Sequence, residues 1–106
     1  MAWIILIAAG LFEVVWAFSM KQSDGFSRLW PSLVTVGAMA VSLAGLAWAM
    51  RTLPLGTAYM VWTGVGAIGA FVVGIAVLGE ELSAMRVLAA ALIVGGLVLM
   101  KLSSTA

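Results

Sequence analysis

One carboxylate, Glu13, stands near the middle of a run of 19 residues, Ala2 to Met20, whose only other polar side chain is Ser19. Inserting a carboxylate at mid-bilayer costs roughly 2.5 to 3.5 kcal/mol, and such residues usually mark a proton relay, an ion path or a buried ion pair. The other hydrophobic stretches contain no Lys or Arg in their interiors. The sequence therefore favours a binding role for Glu13, and a salt bridge to a neighbouring helix is the alternative.

Four further side chains fit a site around this carboxylate. Trp16 follows Glu13 by three residues and shares its helical face, where it can donate its indole N–H or offer a ring face to a cation. Tyr59 and Trp62 share a face of another apolar stretch, and Ser42 lies midway along a third. We expect all five residues to bind substrate and protons, although Trp16 is also compatible with an interfacial tryptophan belt.

Two glycines follow the aromatic pair. Gly64 and Gly66 weaken the helix that carries Tyr59 and Trp62, and glycines permit a bend at such a place. A weakened helix beside a buried charge predicts a hinge. The alternative is that these glycines only allow a neighbouring helix to approach closely.

The composition is that of a membrane protein, because hydrophobic residues make up 65% of the chain and charged residues 8%. Windows of about 20 residues predict an all-α fold, a single four-helix transmembrane domain over residues 1–106, with spans near 2–20, 30–50, 55–78 and 84–101. The first span lacks a basic leading segment and carries a glutamate, so we expect it to remain in the mature protein and not to act as a signal peptide.

Several classes of function are disfavoured by what the chain lacks. With neither Cys nor His it has no thiolate nucleophile and no His or Cys metal ligand, and we expect no enzyme, metal or cofactor. An intramembrane hydrolase would have to assemble its acid–base pair across two chains. The formal net charge of +1 likewise predicts no nucleic-acid partner.

The basic residues are divided almost evenly between the two ends of the predicted bundle. Arg51 and Lys101 fall at one end, and Lys21, Arg28 and Arg86 at the other. The positive-inside rule then gives little preference for orientation, as expected of a protein that inserts both ways.

Four helices are also too few to enclose a site with alternating access, which larger transporters build from inverted repeats. We therefore predict an antiparallel, dual-topology homodimer in the lipid bilayer, with two Glu13 side chains facing one shared cavity.

The last span carries small residues on one flank. Ala91 and Gly95 have small-xxx-small spacing, and Gly96 follows directly; such positions let helix backbones approach closely. We predict that these three residues form the dimer interface, and packing within one chain is the alternative.

At four places the chain closely resembles the small multidrug resistance transporters. The similarity is carried by residues 13–16, 23–31, 56–59 and 62–66, which read EVVW, SDGFSRLWP, GTAY and WTGVG. The resemblance implies an antiparallel dimer in the bacterial inner membrane that exchanges protons for small cations. It also implies that Glu13 is the central carboxylate, Tyr59 and Trp62 are site aromatics, and Gly64 to Gly66 form a kink.

Within this family the chain looks like the guanidinium-exporter branch, because of Trp16, Lys101 and Met39. Guanidinium is planar with donors along its edge, and a carboxylate can bind it through two hydrogen bonds. A carboxylate that binds either a proton or a cation predicts proton-coupled antiport. The alternatives are an exporter of quaternary ammonium or aromatic cations, which bind aromatic faces, and a non-transporting assembly subunit.

Overall fold

The computed structural model describes residues 1–103, and within them the chain forms four α-helices. In chain order these are α1 Ala2–Gln22, α2 Leu29–Ala49, α3 Leu55–Ala76 and α4 Ala84–Ser103. Each is long and apolar enough to cross a bilayer, and their ends lie within two residues of the predicted spans. The all-helical, four-span architecture is therefore as expected from hydropathy.

Short connections reverse the chain between successive helices. The first one contains three consecutive residues with left-handed backbone, Asp24 (φ 48°), Gly25 (φ 72°) and Phe26 (φ 68°), and glycine adopts this region without strain. Ser23, which is fully buried, stabilises the turn: its Oγ donates to the Met20 carbonyl at 2.7 Å and accepts the Phe26 N–H at 3.0 Å.

The helices pack unequally. Helix α1 lies between α2 and α3 and contacts both extensively, whereas α2 and α3 barely touch each other. The buried core therefore forms along α1, and its members are Leu6, Ala9, Leu46, Ala49, Leu53, Ala58, Val61 and Trp62. Helix α4 packs mainly against α3 and contributes no buried residue.

Two cation–π contacts hold the ends of α4. At its C-terminal end the Lys101 Nζ atom lies 4.7 Å from the centroid of the Trp3 ring on α1. At its N-terminal end the Arg86 guanidinium lies 5.9 Å from the centroid of the Phe71 ring on α3. Contacts of this kind contribute about 0.5 to 1 kcal/mol at exposed sites, so they orient α4 without burying it.

Candidate functional site

The carboxylate of Glu13 is directed from α1 onto the backbone of α3. It fills the space that a Cβ atom would occupy at Gly66, so any larger residue there would overlap with it. One carboxylate oxygen, Oε1, is buried and has no hydrogen-bond partner within residues 1–103. A buried acceptor of this kind costs free energy until a donor reaches it.

A second close approach between the same helices lies one turn earlier. A Cβ atom at Gly10 would be 2.8 Å from the Cβ of Val65 and 3.3 Å from the Trp62 carbonyl oxygen. The absence of side chains at Gly10 and Gly66 thus lets α1 and α3 approach closely at the level of Glu13 and one turn before it. The sequence did not identify α3 as the helix that Glu13 contacts.

A chain of two hydrogen bonds connects the three inner helices. The indole Nε1 of Trp62 donates to the Ser42 Oγ at 2.9 Å, and that hydroxyl donates in turn to the Ala9 carbonyl at 2.7 Å. Both side chains are buried, with Ser42 fully enclosed and Trp62 7% exposed. In a regular α-helix the Ala9 carbonyl also accepts the N–H of Glu13, so this chain holds the turn of α1 that carries the carboxylate.

Ser42 contacts the backbone of α1. The sequence places this residue in a site around Glu13, and in this structure its hydroxyl donates to the Ala9 carbonyl. Ser42 therefore orients Trp62 and the backbone near Glu13, and its hydroxyl does not donate to the carboxylate.

The two predicted aromatics of α3 lie together. The ring centroids of Tyr59 and Trp62 are 5.7 Å apart with the ring planes 41° from each other, a favourable tilted arrangement. Tyr59 is 52% exposed. It precedes Gly66 by seven residues, which places it about 10 Å along the helix from the level of Glu13. Tyr59 and Glu13 of one chain are therefore at different depths.

Trp16 packs against the buried core, and its indole Nε1 is buried. Like the Glu13 Oε1 atom, this nitrogen has no hydrogen-bond partner in the described part of the chain. Trp3 Nε1 is the third buried atom without a hydrogen-bond partner. The sequence did not point to it, because Trp3 lies at the end of α1. All three unpartnered atoms belong to α1, and two of them lie within one turn at mid-membrane.

The predicted hinge glycines lie at helix contacts. Helix α3 is continuous from Leu55 to Ala76. A Cβ atom at Gly64 would be 2.6 Å from Leu97 Cδ2 on α4, while Gly66 faces Glu13. Both glycines thus permit close packing in this conformation, and whether they also bend during transport stays a prediction.

The small residues of α4 are exposed on the surface of the chain. Ala91, Gly95 and Gly96 are exposed, and nothing lies within 4 Å of a Cβ atom built at either glycine. Packing within one chain therefore does not account for these two glycines. Within residues 1–103, no three His, Cys, Asp or Glu side chains come together to hold a metal ion.

Comparison with known proteins gives consistent matches along the chain. Residues 1–93 match the family model described as Small Multidrug Resistance protein. A guanidinium exporter of Escherichia coli K12 is 60% identical over 104 residues, covering 98% of this chain and 99% of that protein. Guanidinium exporters of Citrobacter freundii and of Escherichia coli O6:H1 are 58% and 61% identical over the same shares.

Proposed function

This chain belongs to the small multidrug resistance family, and we propose that it exports guanidinium and small guanidinyl cations in exchange for protons. It is a multi-pass protein of the bacterial inner membrane. The relatives named guanidinium exporters, 58 to 61% identical over nearly the whole chain, support the choice of substrate. The proton coupling rests on the chemistry of Glu13.

The proposal rests on the Oε1 atom of Glu13, which is buried and has no hydrogen-bond partner among residues 1–103. A carboxylate oxygen in this position can bind a proton or accept hydrogen bonds from a cation, and the two are mutually exclusive. Guanidinium offers N–H donors in a planar fork that matches a carboxylate. A quaternary ammonium ion has no N–H to donate and would leave the oxygen unsatisfied.

The surroundings of the carboxylate suit a small planar ion. Trp16 lies one helical turn after Glu13 on α1 and packs against the buried core, and an aromatic face attracts a cation within about 6 Å of its centroid. The Trp62 N–H donates to the Ser42 hydroxyl, which donates to the Ala9 carbonyl, so neither of these protons is directed to Glu13. The donors of guanidinium are then left to Glu13.

We propose that the working unit is an antiparallel homodimer, in which a second copy supplies the second Glu13. Three features support it: one chain presents a single mid-membrane carboxylate, the basic residues are balanced between the two ends of the bundle, and α4 leaves Gly95 and Gly96 uncovered. Close helix contacts in membranes use small residues of this kind.

Antiport then follows from competition at shared carboxylates. The dimer turns over when its two Glu13 side chains hold either protons or one guanidinium ion, so inward movement of protons drives outward movement of guanidinium. If two protons exchange for one guanidinium, each cycle moves one net charge, and a potential of 100 mV contributes about 2.3 kcal/mol. An electroneutral cycle would contradict that stoichiometry and leave the antiport intact.

The test is guanidinium flux into proteoliposomes that contain only this protein, driven by a pH gradient. We expect flux by the wild type and none by Glu13→Gln, which keeps the shape of the side chain but can neither release a proton nor carry charge. Glu81→Gln is the matched control, because Glu81 is an exposed loop residue and should leave flux unchanged. Size-exclusion chromatography checks that both variants assemble.

Other outcomes separate the competing functions. Flux of a quaternary ammonium ion without guanidinium flux would assign the chain to the multidrug branch. Flux of neither cation, with a second protein co-purifying from the native membrane, would indicate an assembly subunit. Guanidinium flux that persists at full rate in Glu13→Gln would refute the role of the carboxylate.

A further inference from the structure

A second carboxylate, Glu80, lines a cavity on the same helix seam as Glu13. The cavity lies between the C-terminal halves of α1 and α3 and has a volume of about 190 Å³. This is smaller than the roughly 300 to 1,000 Å³ of pockets for drug-sized ligands. Its only charged lining residues are Glu80 and Lys21, which belong to opposite walls.

The position of Glu80 depends on a glycine. After α3 ends, the Glu80 backbone N–H donates to the Gly74 carbonyl at 3.0 Å. The Glu80 carboxylate then folds back onto α3, into the space that a Cβ atom would occupy at Gly74. The next residue, Glu81, carries the same charge but does not line the cavity. The backbone geometry therefore places only one of these two adjacent carboxylates at the cavity.

The cavity extends from the end of the bundle towards Glu13. Its inner limit includes Val14, the residue next to Glu13, whose side chain packs onto the backbone of Gly69 and closes the seam there. Gly66, which faces Glu13, and Gly74, which faces Glu80, are eight residues apart on α3, or about 12 Å along its axis. One seam thus carries an outer and an inner carboxylate with an apolar contact between them.

We propose that Glu80 is a peripheral cation-binding residue, which receives guanidinium at the mouth of this cavity before it reaches Glu13. The proposal rests on the proposed function. A carboxylate in a narrow cleft raises the local concentration of cations and their rate of entry. Lys21 on the facing wall weakens this binding, and a transit site has to bind weakly enough to release its ion inward.

The test compares Glu80→Gln with Glu81→Gln, which removes the same charge one residue away. Initial rates of guanidinium exchange in proteoliposomes are measured over a range of guanidinium concentrations, at low and at high salt. We expect Glu80→Gln to raise KM about fivefold with little change in the maximal rate, and Glu81→Gln to leave both unchanged. The difference should shrink in 1 M salt, where the Debye length is about 3 Å instead of about 30 Å at 0.01 M.

Each result has one meaning. Equal KM values for wild type and Glu80→Gln, or equal increases in both variants, would refute a specific role for Glu80. A lower maximal rate with unchanged KM and no dependence on salt would show that Glu80 only supports the loop. If wild type exchanges guanidinium and Glu13→Gln does not, the proposed function stands whatever Glu80→Gln does.

Discussion

The three inner helices and α4 are built in different ways. Helices α1 to α3 share a buried core, the hydrogen bonds from Trp62 through Ser42 to Ala9, and the only mid-membrane carboxylate. Helix α4 has no buried residue and packs mainly against α3, with one cation–π contact from Lys101 to Trp3 on α1. In a bilayer, exposed apolar side chains are normal, so the informative feature of α4 is its pair of uncovered glycines.

The difference in packing corresponds to two separate roles, which are to hold the proposed site and to associate with another helix. Buried polar groups need defined partners, and satisfying them fixes α1, α2 and α3 relative to one another. Lipid provides no hydrophobic force to bring helices together, so association depends on close contact between small residues. The inner helices therefore hold the side chains that we propose bind the ligand, and α4 is free to meet the second copy of the proposed dimer. Three substitutions test this division, beginning with the largest expected effect.

Gly66→Ala should disrupt the site without exposing any new surface. The added Cβ would overlap with the Glu13 carboxylate and displace it, and a shift of about 1 Å in a binding group can cost about 100-fold in rate. We expect guanidinium exchange to fall by roughly that factor. Gly37→Ala on α2 is the control, because nothing lies within 4 Å of its Cβ position. Normal exchange by Gly66→Ala would show that the carboxylate is not held against α3.

Gly95→Leu should act on assembly alone. Within one chain nothing lies within 4 Å of a Cβ atom at Gly95, so the fold of the protomer should be unaffected, while a helix packed on this face would be pushed away. We expect the dissociation constant of the dimer in detergent to rise at least about tenfold, measured by single-molecule subunit counting.

Gly37→Leu is the matched control on α2, at another open glycine. Equal loss of dimer in the two variants would mean that α4 has no special place in the interface. An unchanged dimer in Gly95→Leu would remove this flank of α4 from it.

Much of the architecture was predictable because hydropathy and charge act over whole helices. The four spans, the family and the membrane location followed from apolar runs and four short motifs, and the family is confirmed by the matches over the chain. The antiparallel dimer, the hinge and the roles of the site residues stay predictions. The chemistry of Glu13 was visible because a lone carboxylate in an apolar run has few explanations.

The partners of individual side chains were not predictable. Helical periodicity gives the face on which Ser42 lies, but not which of several acceptors its hydroxyl will reach, and the structure places it on the Ala9 carbonyl. The link between Glu80 and Gly74 was missed for a related reason. It depends on how the chain turns after α3, and hydropathy carries no information about that turn.

Two buried hydroxyls on α2 give the finest test of the division between regions. Ser42 joins three helices, whereas the Thr35 Oγ1, equally buried, donates at 2.7 Å to the Pro31 carbonyl of its own helix. Ser42→Ala would leave the Trp62 indole N–H buried without an acceptor, at a cost of about 1 to 3 kcal/mol. Thr35→Val removes a side-chain hydrogen bond to a carbonyl of its own helix, which the backbone hydrogen bonds of that helix already satisfy. We expect thermal unfolding of the purified protein to shift to lower temperature clearly for Ser42→Ala and little for Thr35→Val. Equal shifts would mean that burying a hydroxyl matters more than connecting helices, and would weaken the contrast between the inner helices and α4.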